Sequence, residues 1–387
     1  MKKTALFELG FRPFFLFAGF SAIFLVLGWM LMFQGQLAAA SYYGPFLWHS
    51  HEMIFGYAVA VIAGFLLTSV RNWTGLETAR HGRLATLVVL WLLGRVLPFF
   101  TDYFDPRVVA VVDLLFLPAL AIAIGLPLVM SDNRRNLFFI PLFAFLTICN
   151  LLIHLQALQL LEHWGDMASR ACVGLVVVVI TVIGGRVIPF FSSTAIPGYK
   201  AEVSSWLDRA AILSSLVFAL VYGYQGQPGN ITGWVALFAA GVSLLRIRQW
   251  YSIQIWPNPL LWILYTSYGW LVVGFCMFFA EAFFPVIGKP ALHAITIGTI
   301  GGMTLGMMVR VSLGHSGRPL KVSTATTLAF ILINLACFLR VFLPVVYPEL
   351  YAVIVTVSGG LWVLAFLIFL VLYTPVLVFP RIDGKPG

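Results

Sequence analysis

"WHSHEMIFGYAVAVIAGFLLTSVRNWTG", Trp48 to Gly75, opens with two histidines and a glutamate and continues through about twenty mostly apolar residues, long enough to cross a bilayer. Runs of this kind recur from one end of the chain to the other. Of 387 residues, 61% are apolar and only 10% charged, a composition that reads as a polytopic membrane protein rather than a soluble domain. Cys149, Cys172, Cys276 and Cys337 stand singly in apolar segments without CxxC spacing. Neither a disulfide framework nor a zinc knot is indicated, and they read as small packing residues. The lead "MKKTALFELGFRPFF" is basic, but no small-residue cleavage site follows. The apolar run after it is therefore expected to be retained as a span.

Windows of about nineteen residues predict twelve helices. They lie near residues 13–33, 49–70, 84–100, 108–130, 137–158, 167–190, 206–224, 231–247, 259–282, 290–313, 324–346 and 350–373. The connections are short Gly, Pro, Asn and Asp clusters. The expected fold class is all-α, a polytopic membrane helical bundle forming a single transmembrane domain over residues 1–387. Basic residues set its orientation, because loops retained in the cytoplasm keep Lys and Arg. Seventeen of the 23 lie at the amino terminus (Lys2, Lys3, Arg12), in the even loops and in the tail (Arg381, Lys385), whereas the odd loops hold Arg107, Arg170 and Lys289. Both termini are thus expected inside. The net charge of +9 is this topological bias, and no nucleic-acid-binding module is present.

With that topology the histidines sort by depth. His49 and His51 open the second span, His293 opens the tenth, His154 lies in the last turns of the fifth, and His163 follows in a loop. All five fall toward the outer face, while His81 and His315 fall toward the inner one. Convergence of imidazoles is what a metal or haem site requires. A single interfacial histidine bonded to a carbonyl or a headgroup is the ordinary alternative, and His163, beside Glu162 and Asp166, is read that way. "RVSLGHSGRPL", Arg310 to Leu320, reads as a basic inner-loop anchor that includes His315.

His51 and His293 share a pattern. Laid without gaps, "HEMIFGYAVAVIAGFLLTSVRNWTG" and "HAITIGTIGGMTLGMMVRVSLGHSG" match at His51 and His293, Gly56 and Gly298, Gly64 and Gly306, and Gly75 and Gly317. Such glycines leave a helix face bare, open either to a flat macrocycle or to a neighbouring helix. A second echo joins "GRVLPFFT" (Gly94 to Thr101), "GRVIPFFS" (Gly185 to Ser192) and a looser "LRVFLPVVYP" (Leu339 to Pro348), each with arginine about one turn before a proline. Snorkelling to the interface accounts for such arginines. Arg95 and Arg340 also share the depth of the histidines, where they suit the carboxylates of a bound haem, whereas Arg186 falls near the inner end of the sixth span. Glu52 and Asp113 lie in the outer halves of their helices, placed to pair with an arginine, to orient a histidine or to carry protons. Residues two apart on a helix are rotated by about 200°, so His49 and His51 face different partners. A helix beginning only at Ser50 or His51 would free His49 for a second metal.

"HSHEMIFGYAVAVIAGFLLTSVRNWTG", "GGRVIPFF" and "HAITIGTIGGMTLGMMVRVSLGHSGRPL" resemble the signature stretches of the NnrS family of bacterial inner-membrane proteins, described as containing haem and copper and associated with nitric oxide metabolism. The likeness covers nearly the whole chain. It implies a haem protein, of b type, that helps cells resist nitric oxide, with the lipid bilayer, nitric oxide and an electron donor as partners. A more distant likeness is to the large subunit of haem-copper oxidases, in which histidines of the second and tenth of twelve helices hold a haem. His51 and His293 fall on those helices and Arg340 on the eleventh, but the sixth and seventh carry no histidine, so an oxygen-reducing copper cluster has no counterpart. The expectation is therefore haem held by His51 and His293, with Arg95 and Arg340 as partners and copper on His49 with His154. The alternative is a twelve-helix transporter or exporter of a small molecule or metal complex, which predicts discontinuous helices meeting at the bilayer midplane. A third reading is a sensor or assembly factor that binds haem without turnover.

Overall fold

In the computed structural model the described residues, 4–38, 42–131, 134–226, 228–284 and 289–385, form twelve long helices and no strand. Lys2 and Lys3 of the basic lead lie outside the described residues. The helices are α1 Phe11–Phe33, α2 Pro45–Thr74, α3 His81–Phe99, α4 Pro106–Met130, α5 Arg134–Ala157 and α6 Trp164–Ala195, then α7 Ser205–Gln225, α8 Asn230–Trp250, α9 Pro259–Phe283, α10 Pro290–His315, α11 Thr324–Val346 and α12 Pro348–Val378. All twelve are long and apolar enough to cross a membrane. Their ends follow local chemistry. The Asp105 carboxylate accepts from the Arg107 amide ahead of Pro106, and the Asn258 side chain accepts from the Leu260 amide ahead of Pro259, pairing an N-cap with a proline that has no amide to lose.

The second helix departs from its sequence reading. It starts at Pro45, four residues before His49, because Pro45–Trp48 is cut off from the apolar run by His49, Ser50 and His51 and so escapes a hydropathy window, while proline remains a good helix start. Both histidines are therefore helical, and the late start that would have freed His49 does not occur. The repeat seen in the sequence is matched in the backbone. An α-helical turn ends at His51, a π-helical stretch runs Glu52–Ala58, and α-helix resumes to a left-handed Gly75 at φ +71°. In α10 the α-helical turn ends at His293, the π-helical stretch runs Ala294–Gly301, and α-helix resumes ahead of Gly317 at φ +73°. A π turn admits an extra residue per turn, and such turns concentrate at functional sites.

α2, α6 and α10 are the most enclosed helices, 83%, 78% and 78% buried over their apolar windows, against 39–50% for the rest. The remaining helices present large apolar side chains outward, among them Phe24, Val129, Leu213 and Phe238, as a lipid-facing surface requires. The chain packs as two compact units, one of residues Met1–Ser169, Met308–Pro319 and Phe369–Gly387, the other of Arg170–Met307 and Leu320–Ile368. In the first unit Gly64 of α2 accepts Phe14 and Phe15 of α1, and in the second Gly306 of α10 accepts Ile263 and Leu264 of α9. The aligned glycines thus seat neighbouring side chains, which is the helix-packing use of a bare face.

Candidate metal centre

In an alternating bundle the end of α1, the start of α2, the end of α3, the start of α4 and the end of α5 fall on one side. The first unit uses this to gather groups that are far apart in sequence. α2 supplies His51 and Glu52, α3 supplies Arg95, α4 supplies Asp113, α5 supplies Asn150 and His154, and the α1–α2 connection supplies Tyr42 and Tyr43. Asn150 and His154 are four apart and share a helix face. His51 and His154 have no exposed surface, Glu52 retains 1%, Asp113 4% and Arg95 9%.

The polar groups of this buried site lie against one another, and Arg95 Nε and Glu52 Oε2 face each other as an ion pair without a hydrogen bond. His51 Nδ1 lies 2.9 Å from Glu52 Oε1, and its Nε2 lies 3.0 Å from Asn150 Oδ1, 3.2 Å from Asp113 Oδ2 and 3.3 Å from the Tyr43 hydroxyl. His154 Nε2 lies 3.0 Å from the same Asp113 Oδ2, and its Nδ1 lies 2.9 Å from the Tyr42 hydroxyl. Asn150 Nδ2 donates to Asp113 Oδ2 over 2.9 Å. Arg95 Nε faces Glu52 Oε2 at 3.2 Å, while Arg95 Nη2 donates to Asp113 Oδ1. Tyr43 also stacks on His51, with ring centroids 4.6 Å apart. Burial, reinforced by the Asp113 charge, pushes the Tyr42 and Tyr43 phenols above their ordinary range, so both stay protonated.

Charge and shape both favour a cation. Two carboxylates face one guanidinium, leaving one excess negative charge among these groups, which a bound cation or a protonated His51 balances in a medium that cannot screen it. One nitrogen from each histidine and one Asp113 oxygen lie within 4.8 Å of one another. The separations of 3.0 and 3.2 Å between these nitrogens and Asp113 Oδ2 are edges expected between ligands about 2.1 Å from one ion. The other nitrogen of each ring is held by Glu52 or Tyr42, as ligating imidazoles usually are. Glycines make the room. A Cβ on Gly94 would meet Asp113 Oδ1 at 2.0 Å, and one on Gly56 would meet Glu52 Oε2 at 2.7 Å and Arg95 Cδ at 3.0 Å.

Of the residues singled out in the sequence, His51, Glu52, Arg95, Asp113 and His154 come together here. His49 stacks on Trp29, centroids 4.3 Å apart. His293 and Arg340 belong to the second unit. There His293 Nδ1 lies 2.8 Å from the Lys289 carbonyl, and Arg340 donates to the Tyr351 hydroxyl over 2.8 Å. Asn150, Tyr42 and Tyr43 went unremarked in the sequence. The signal for Asn150 was its helical spacing to His154 in "NLLIH".

No curated protein matches the chain. The family model described as NnrS protein matches residues 5–381, which contains every residue of the buried cluster. The chain belongs to the NnrS family.

Proposed function

We propose that this is a metal- and haem-binding inner-membrane protein of nitric oxide metabolism, with both termini cytoplasmic, and that its non-haem ion sits among His51, His154 and Asp113. The convergence of those three donor atoms in a buried, net-negative cluster carries the reading. Two imidazoles and a carboxylate, with the Asn150 carbonyl beside them and no sulfur, suit copper or iron. Such an ion, when bound, supplies a redox-active Lewis acid able to take nitric oxide as a ligand.

The chain's own groups prepare the place. Glu52 accepts from His51 Nδ1–H and directs Nε2 inward, and the Tyr42 hydroxyl does the same for His154. Arg95 spans Glu52 and Asp113, holding both carboxylates at fixed positions. Tyr43 closes one side of the His51 ring and excludes water. Nitric oxide, small and uncharged, reaches such a site through the apolar bundle without a polar channel.

His51 has both nitrogens committed within this cluster, so the haem belongs with His293. The Lys289 carbonyl accepts from His293 Nδ1–H, which makes Nε2 the nitrogen that would ligate. Cys337 Sγ lies 3.8 Å from the His293 carbonyl, which brings α11 against this turn, and Arg340, one helical turn beyond Cys337, would supply the charge partner of a propionate. The charged helices α2 to α5 stay helical through their middle turns, whereas a transport path would call for helices broken there.

Absorption spectra and metal analysis of the purified protein separate the two centres. His51→Ala, His154→Ala and Asp113→Asn are expected to lose non-haem metal by more than tenfold and keep the Soret band. His293→Ala is expected to do the reverse. A wild-type protein with neither metal nor Soret band, or variants that all keep both, would overturn the assignment. Nitric oxide consumption with a supplied reductant, wild type against Asp113→Asn, then tests whether the site turns its ligand over.

A further inference from the structure

A second polar cluster, of opposite sign, lies in the first unit where the two ends of the chain meet. Arg12, fully buried at the start of α1, donates to the carbonyls of Val376, Leu377 and Phe379 at 3.2, 3.0 and 2.8 Å, closing the end of α12. Two residues on, Arg381 Nη1 donates to the His315 carbonyl over 3.0 Å, and the Ile382 amide donates to the Ser316 carbonyl over 3.3 Å. The tail is thereby laid along the turn that ends α10. Arg318 emerges from that turn, and its terminal Nη1 is withdrawn from solvent with no hydrogen-bond acceptor. Arg318 and Arg381 act electrostatically on Arg12, and Arg381, Arg12 and Arg71 act on His315.

The nearby acids do not balance this charge. Glu77 pairs with Arg71 at 3.3 Å and Arg80 at 2.9 Å, Asp383 holds Arg381 through two contacts of 2.9 and 2.6 Å, and Glu8 acts on Arg12. Among the described residues, five guanidiniums, those of Arg12, Arg71, Arg80, Arg318 and Arg381, thus face three carboxylates. An unsatisfied guanidinium N–H withdrawn from water is costly, and an oxyanion with several acceptor oxygens removes the cost. Beside the cluster Phe379 and Ile382 are exposed apolar side chains.

We propose that this cluster is a phosphate-binding site filled by the headgroup of an anionic phospholipid, with Arg318 as its direct ligand. The place suits a lipid, because it lies at the ends of α1, α10 and α12, where headgroups meet membrane-crossing helices, and Phe379 and Ile382 offer an apolar flank to the attached glycerol and chains. The same chemistry would accept inorganic phosphate.

The test measures the melting temperature of the full chain in nanodiscs of phosphatidylcholine alone and with phosphatidylglycerol added, and in detergent with and without inorganic phosphate. Phosphatidylglycerol is expected to raise the wild-type melting temperature by a few degrees, to leave Arg318→Gln unshifted, and to shift Arg83→Gln, an exposed arginine outside the cluster, as it shifts wild type. An Arg318-dependent shift with phosphate in detergent, and no further shift with the lipid, keeps the site and assigns it to the soluble anion. Equal shifts in wild type and Arg318→Gln, or none with either probe, overturn the proposal.

Discussion

Replacing Arg95 with methionine is expected to cost about 3–5 kcal/mol, the loss typical when one partner of a buried ion pair is removed. The side chain is 9% exposed and bridges Glu52 and Asp113, which are 1% and 4% exposed. Methionine fills much of the same volume, so the loss is chiefly electrostatic. Two buried carboxylates would remain, one against His51 and one against both histidines, with no fixed counter-charge. The damage is therefore expected to be smaller when a second negative charge is also removed. Arg95→Met with Glu52→Gln should melt higher than Arg95→Met alone, and the double-mutant cycle should show coupling well above about 0.5 kcal/mol, the scatter of independent sites. Thermal unfolding of the four proteins measures this. A single variant as stable as wild type would contradict the network.

Adjacent glycines in the second unit are expected to behave oppositely. A Cβ on Gly185 would sit 1.8 Å from Arg246 Nη2 and 2.5 Å from its Cζ, whereas one on Gly184 would meet nothing closer than 3.6 Å. Arg246 has little freedom to yield. It is 2% exposed, bonded through Nε to Asp208 at 2.7 Å and through Nη1 to the Thr181 carbonyl at 2.8 Å and Tyr268 at 3.1 Å, with its guanidinium 4.9 Å from the Trp250 ring. Gly185→Ala must break some of these contacts and is expected to cost about 3 kcal/mol or more. Gly184→Ala adds a methyl at ordinary contact distance within α6 and is expected to be neutral or to gain up to about 1 kcal/mol from helix propensity. Melting temperatures of the two variants, measured side by side, decide it.

The echo between "GRVLPFF" and "GRVIPFF" acquires a physical meaning here. In each, the glycine before the arginine lies flat against a buried charge, Asp113 in one unit and Arg246 in the other. The repeat was visible in the sequence, but the charge it serves was not, because that charge comes from another helix. The twelve helices were legible for a simpler reason. A bilayer demands apolar stretches of a set length, and composition alone reveals them. The start of α2 was not, since Pro45–Trp48 are set apart from the long apolar run by His49, Ser50 and His51.

The pairing of His51 with His293 illustrates the same limit. Matching glycines and histidines reported a shared local backbone, an α-helical turn followed by a π-helical stretch in both α2 and α10. Within its own unit His51 lies beside His154, with ring centroids 5.6 Å apart, and no periodicity links α2 to α5. Glu52, Arg95 and Asp113 were recognisable as candidates because charge within an apolar span has few uses. Tyr42 and Tyr43 sit in a connection, where aromatic residues are common and carry little signal.

Those two tyrosines bear on how the centre is filled. Tyr42 and Tyr43 are each 7% exposed and lie against His154 and His51, so that, among the described residues, these two rings cover the histidines of the cluster. An ion bound as proposed would then exchange only as fast as the two rings move aside, and not as its affinity for the ligands dictates. A metal placed there during membrane insertion would outlast long exposure to chelator, and apo protein would reload as slowly. Occupancy of the proposed site would then be a record of assembly more than of the metal around the protein.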